Sequence, residues 1–155
     1  MDIRLQTAPF DPGALLAAFC QGRLETGAVV SFTGLVRAEG GGAESLELDA
    51  YPGFTEAEIG RTVAAAVERF GLQDVLVVHR YGVMAPGEPI VFVATATAHR
   101  RAAFEAADHL MDYLKSRAPF WKRARGRSGE RWIEPTAQDY EDAARWDAPT
   151  PKESS

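Results

Sequence analysis

Residues 89–98 (PIVFVATATA) form a largely apolar run of β-branched and small side chains, with Thr95 and Thr97 its only polar residues. The run is about half the length needed to cross a bilayer, and its continuity is that of a strand buried on both faces. It therefore has to lie in the interior of a sheet, and the rest of the chain has to supply neighbours and cover. Ile3 and Leu5 alternate with polar residues as a short first strand, and Asp11 before Pro12 reads as the N-cap and first position of a helix to about Gln21. Residues 27–36 (GAVVSFTGLV) and 45–51 (SLELDAY) read as strands, expected to pair as a hairpin across a mobile connector of Gly40, Gly41 and Gly42. Thr55 and Glu58 have capping-box spacing, followed by Ile59, Val63, Ala66, Val67 and Phe70 on one helical face and Gly71 as a stop. Residues 74–81 (DVLVVHRY) are expected to join the central run through a turn at Pro86-Gly87.

A helix follows over 99–117 with Phe104, Ala107, Met111 and Leu114 on one face, ended by Pro119, which lacks a donor and disfavours helical geometry in Ala118. Residues 120–125 and 131–134 predict a last hairpin around Ser128-Gly129, and a short helix through Trp146 closes the chain. The order βαββαββαββα predicts an α+β fold with mostly antiparallel pairing, one domain over residues 1–146 and a frayed polar tail over 147–155.

The charge is unevenly distributed. The 17 Lys and Arg against 22 Asp and Glu leave a net charge of -5. Yet Lys115, Arg117, Lys122, Arg123, Arg125, Arg127 and Arg131 are opposed within their segment only by Glu130, so residues 115–131 carry +6 and the remainder -11. A basic segment on an acidic body predicts an anionic partner or substrate at one place. Cys20 is the only cysteine, which excludes an internal disulfide and Cys-rich metal sites, and fits a reducing, cytoplasmic setting. No signal peptide is read near Met1, and no apolar run is long enough for a membrane span.

Phosphate loops, dinucleotide fingerprints, nucleophile elbows and zinc-protease motifs are absent from the sequence, and His79, His99 and His109 lack metal-ligand spacing. His79 in a strand and His109 in mid-helix read as structural residues. His99 is different, because it stands at a strand-to-helix junction before Arg100 and Arg101, where cations beside free backbone donors make an anion receptor. Lys115 and Lys122 flank the Pro119 break with two aromatics and further cations between and around them. Clustered cations disfavour one another's charged forms, which suits an amine to acid, base or nucleophilic work. Arg37 at the end of its strand can grip a phosphate bidentately or be a plain edge charge.

These residues fall within motifs that resemble one family. Residues 27–37 (GAVVSFTGLVR), 51–55 (YPGFT), 78–80 (VHR), 98–100 (AHR), 111–123 (MDYLKSRAPFWKR) and 131–134 (RWIE) closely resemble, in order, the large catalytic subunit of molybdopterin synthase. The resemblance implies an α/β hammerhead fold with a small β-hairpin subdomain, and a homodimer that binds two small ubiquitin-like sulfur carriers to give a heterotetramer. It implies a sulfurtransferase without a cofactor or a metal. In this family the carrier's C-terminal Gly-Gly, as a thiocarboxylate, delivers two sulfurs to cyclic pyranopterin monophosphate and makes the dithiolene of molybdopterin. By resemblance, Lys115 and Lys122 occupy the two essential lysine positions, and Arg37, His99 and Arg100 the substrate-binding positions. Leu35 stands where relatives often carry Lys, and Thr136 near where some place an Arg that reaches the neighbouring subunit, with Arg123, Arg125 or Arg127 as substitutes. The alternative is a non-catalytic anion- or nucleic-acid-binding module on residues 115–131, in which Phe120 and Trp121 lie among cations as in a single-strand binder. The net negative charge and the lack of a nucleic-acid motif argue against it.

Overall fold

A computed structural model describes residues 1–38, 43–126 and 129–147, together with the side chains of all these except 43, 44, 124–126 and 129–133. The glycine connector at 40–42, Ser128 of the last turn and residues 148–155 of the expected tail lie outside the described residues.

The apolar run becomes β6 (Pro89–Thr97), and it is interior as expected. It lies between β4 (Asp74–Arg80) and β2 (Ala28–Leu35), both antiparallel to it, while β1 (Asp2–Gln6) adds parallel to β4. Alternation splits the central strands between two cores. Val75, Val77, Val91 and Val93 face α2 (Pro52–Phe70) and α3 (Arg100–Ser116), meeting Ile59, Val63, Ala66, Ala106, Leu110 and Leu114. Leu76, Val78, Phe92, Ala94 and Ala96 face α1 (Pro12–Cys20) and Phe19. Each large side chain buried this way contributes about 1.5–3 kcal/mol. Thr95, fully buried in β6, donates its hydroxyl to the Ala103 carbonyl at 2.8 Å and ties the sheet to α3.

The helix signals hold with one exception. Asp11 Oδ1 accepts from the Gly13 and Ala14 amides at 2.9 and 3.2 Å, capping α1 at the expected place. Gly71 ends α2 in the left-handed conformation, φ 63. The capping box expected at Thr55 and Glu58 is not formed, because Pro52 at the first helical position starts α2 earlier, with Tyr51 as N-cap. Glu58 pairs instead with Arg61.

A second sheet has the order β5-β3-β7-β8, formed by β5 (Gly82–Met84), β3 (Ala43–Ala50), β7 (Phe120–Gly126) and β8 (Gly129–Ile133), with every pair antiparallel. The expected hairpin of residues 27–36 with 45–51 is therefore corrected. β2 pairs with β6, and β3 pairs with β5 and β7. Leu48 packs into the core on the α2 and α3 side, whereas Val29 packs against the α1 core, so the two strands are drawn to different layers. Gly82, at φ 96, turns the chain out of the first sheet into β5, an element the sequence reading passed over. The expected β7–β8 hairpin is present. Finally α4 (Ala137–Ala144) and a 3₁₀ turn (Arg145–Asp147) dock on α3. Trp146 Nε1 donates to Asp112 at 2.6 Å, Arg145 pairs with Asp108 and Asp112 at 2.7 Å, and Arg117 pairs with Asp147 at 2.7 Å.

Candidate active site

Lys115 sits in the last turn of α3, where an ammonium complements the negative end of the helix dipole. The amides of Arg117 and Ala118 both bond the Tyr113 carbonyl, at 2.8 and 3.0 Å, and close the helix. Pro119 breaks it, and β7 starts at once with Phe120. The bend is held from outside. Thr55, fully buried, accepts the Tyr51 amide hydrogen at 3.1 Å and donates its hydroxyl to the Pro119 carbonyl at 3.0 Å, which joins the start of α2 to the turn between the two lysines.

Strand alternation then separates the faces of β7. Trp121 and Arg123 share one face, where Trp121 meets the Tyr51 ring edge-on at 5.1 Å and Arg123 pairs with Asp49 at 2.7 Å and Glu47 at 3.8 Å. Phe120 and Lys122 take the other face, toward α3 and Lys115. Arg37 follows Val36, whose amide bonds the Glu88 carbonyl at 2.9 Å and whose carbonyl accepts from Gly87 at 2.7 Å, so the end of β2 is anchored beside the turn before β6. Arg37, Lys115 and Lys122, from three separate stretches, line one cavity of about 910 Å³, within the size range of small-molecule sites. Exposed Leu35 lies on the same wall, and Thr136 and Tyr140 of the α4 segment form another.

A second cavity of about 40 Å³ shares Lys115, Phe120 and Lys122 with the first and adds His79. His79 is buried, its ring stacked on Phe120 at 4.1 Å with 22° between planes. Its Nδ1 lies 2.8 Å from the Arg80 carbonyl, which can only accept, so Nδ1 carries the hydrogen and Nε2 does not. Burial first, and then the Lys122 and Lys115 charges, push the imidazole down to about 4, opposed by the bond to Arg80. By its position in the sequence alone, His79 reads as structural. The signal that finds it is period two within β4, where Val75, Val77 and His79 fall on the face toward α3.

His99 and Arg100 are not brought to this cavity within one chain. They lie at the opposite end of α3 from Lys115, sixteen residues or about 24 Å along the axis from His99, and line neither cavity. Both are exposed, no acid lies in the first helical turn, and the His99 side chain makes no capping bond. His109, half-buried, packs between Phe70 and Trp146 at 5.4 and 5.2 Å, a structural contact away from both cavities. Thr136 has a structural role of its own. Its hydroxyl accepts the Asp139 amide hydrogen at 3.1 Å and Asp139 accepts the Thr136 amide hydrogen at 2.9 Å, a reciprocal cap on α4. Arg123 is engaged with the two acids on the far face, and the side chains of Arg125 and Arg127 lie outside the described residues.

Comparison with known proteins finds one family. The family model described as MoaE protein matches residues 5–117. A molybdopterin synthase catalytic subunit from Caulobacter vibrioides is 66% identical over 147 residues, covering 95% of this chain and 98% of the relative. One from Mesorhizobium japonicum is 55% identical over 146 residues, covering 93% and 92%. Among solved structures, a molybdopterin biosynthesis MoaE protein from Burkholderia ambifaria superimposes with TM-score 0.81 at 40% identity, covering 96% of this chain and 99% of that one. Molybdopterin synthase from Staphylococcus aureus superimposes with TM-score 0.76 at 26% identity, covering 84% and 95%.

Proposed function

The chain belongs to the MoaE protein family, and from that membership we propose that it is the catalytic subunit of a molybdopterin synthase, with the cavity of Arg37, Lys115 and Lys122 as its sulfur-transfer site. The observation that carries the assignment of the site is that three cations from separate elements converge on one cavity of about 910 Å³. The substrate is cyclic pyranopterin monophosphate, and the sulfur arrives as the C-terminal thiocarboxylate of a small ubiquitin-like carrier ending in Gly-Gly. A tail without side chains can enter where a bulkier peptide would clash.

In this reading Arg37 grips the substrate phosphate, since a guanidinium matches its oxygens two at a time. Lys115 polarises the thiocarboxylate carbonyl and stabilises the negative charge that develops on its oxygen. Lys122 gives and takes protons as sulfur adds and the cyclic phosphate opens. The carrier brings the sulfur, so the exposed lone Cys20 has no part in the transfer. A cytoplasmic location belongs to the same reading. Among the described residues, no helix is long and apolar enough to cross a membrane.

His99 and Arg100 serve the site from a second copy of the chain. With about 24 Å of α3 between His99 and Lys115, one protomer cannot use both, whereas a homodimer can present the α3 start of one copy to the pocket of the other. Two carriers then complete a heterotetramer. The nucleic-acid reading loses support from the ion pairs of Arg117 with Asp147 and Arg123 with Asp49, which offset part of the basic segment's charge with the protein's own acids.

The test is dithiolene formation from cyclic pyranopterin monophosphate and thiocarboxylated carrier. Lys115→Ala and Lys122→Ala each lose at least about 100-fold, the scale of removing one donor to a developing oxyanion, while circular dichroism stays unchanged. Near-normal turnover in both variants rejects these roles.

A further inference from the structure

His79 is a buried titratable group next to the lysine pair to which the proposed reaction assigns nothing. We propose that His79 is a positioning residue, whose Nε2 accepts hydrogen bonds from the Lys115 and Lys122 ammonium groups through water in the small cavity and thereby sets where they point in the large one. The inference rests on reading the large cavity as the sulfur-transfer site.

Three observations carry it. The ring cannot turn, because Nδ1–H is committed to the Arg80 carbonyl and the ring face to Phe120, so Nε2 remains the acceptor. The small cavity has about 40 Å³, against the roughly 10–15 Å³ that one water needs, and its polar lining consists of His79, Lys115 and Lys122. An acceptor and two cationic donors give such a water the two to four partners that hold it in place. Finally, Lys115 and Phe120 line both cavities along with Lys122, so whatever orders the amines on the inner side orders them toward substrate.

An imidazole suits this place better than a carboxylate. A carboxylate would bind one ammonium directly and neutralise it, whereas a neutral acceptor leaves both positive charges for an anionic substrate. The surroundings keep the ring neutral. Lys115 approaches from α3 and Lys122 from β7, the register partners in β1 and β6 are Leu5 and Val91, and the Arg80 guanidinium is held by the Thr7 carbonyl and Glu88.

Two measurements test the inference. In the free chain, nitrogen-15 NMR should find Nδ1 protonated and Nε2 unprotonated at neutral pH, and Lys115→Ala or Lys122→Ala should raise the His79 titration by several tenths of a pH unit or more, because a nearby cation has gone. A His79 signal indifferent to both substitutions overturns the coupling whether or not the protein transfers sulfur. In the assembled synthase, His79→Phe keeps the stacked ring but removes the acceptor. It should lower kcat about tenfold with KM for the pterin changed less than twofold, and His79→Gln, which keeps an acceptor, should recover part of the loss. A merely structural histidine would instead lower the melting temperature and leave kcat per folded molecule unchanged, and that result overturns the role. If the wild-type synthase made no dithiolene, the reading of the site would fail while the NMR result still judged the lysine contact.

Discussion

At the scale of single residues, two side chains hold the lysine pair from behind. The Thr55 hydroxyl links the Tyr51 amide to the Pro119 carbonyl, so the bend between Lys115 and Lys122 is fastened to the start of α2. His79 stands behind the lysines themselves, and its burial has a consequence for stability. The imidazole titrates near 6.5 in the unfolded chain and at about 4 in the folded one. Between these values the unfolded chain binds the extra proton, so the stability linked to His79 is fully present above pH 6.5 and is lost as pH falls toward and through 4. A loss on the order of 3 kcal/mol is expected. Urea unfolding of wild type and His79→Phe at pH 7 and pH 4.5 should show the wild type losing more stability between the two, and equal losses would contradict it. The roles of Thr55 and His79 are not legible in the sequence, for related reasons. Thr55 resembled a helix cap because only its local spacing to Glu58 was visible, and His79 sat inside a continuous apolar run that hides alternation.

At the scale of elements, helix ends connect stability to the site. The eight residues of α4 are too few to be stable alone, and the Thr136 and Asp139 cap is what starts them. Because Thr136 and Tyr140 line the large cavity, that cap also sets one of its walls. Thr136→Ala should cost about 1 kcal/mol, within the usual range for a lost N-cap, and a thermal melt will measure it. At these positions a chain with Arg in place of Thr136 would give up a cap for a charge. The start of α3 is built the opposite way, with His99, Arg100 and Arg101 around the positive end of the helix dipole and no acid in the first turn. This costs a few tenths of a kcal/mol unless an anion binds there, which is the element-level reason for keeping His99 and Arg100 in the proposed site.

At the scale of the whole molecule, the length of α3 is the governing distance. If His99 and Arg100 complete the pocket of a partner copy, then mixing inactive Lys115→Ala with inactive Arg100→Ala protein, after dissociation and reassociation, should restore activity. Half of the dimers would be mixed and each would hold one intact pocket, giving about a quarter of wild-type turnover. No recovery would place both groups in one protomer's site and contradict the geometry of α3. Local pattern was enough for the interior strand of residues 89–98, the Asp11 cap, the Gly71 stop, the proline break with a lysine on either side, and the family motifs, because each depends on neighbours a few residues apart. Only the tertiary structure decided that β2 joins β6 rather than β3, that His79 stands behind the lysines, and that one chain keeps His99 and Arg100 apart from them. Those outcomes follow from which core each face can enter and from the rigid length of a helix. They are settled by contacts between residues far apart in the chain, and no local spacing encodes them.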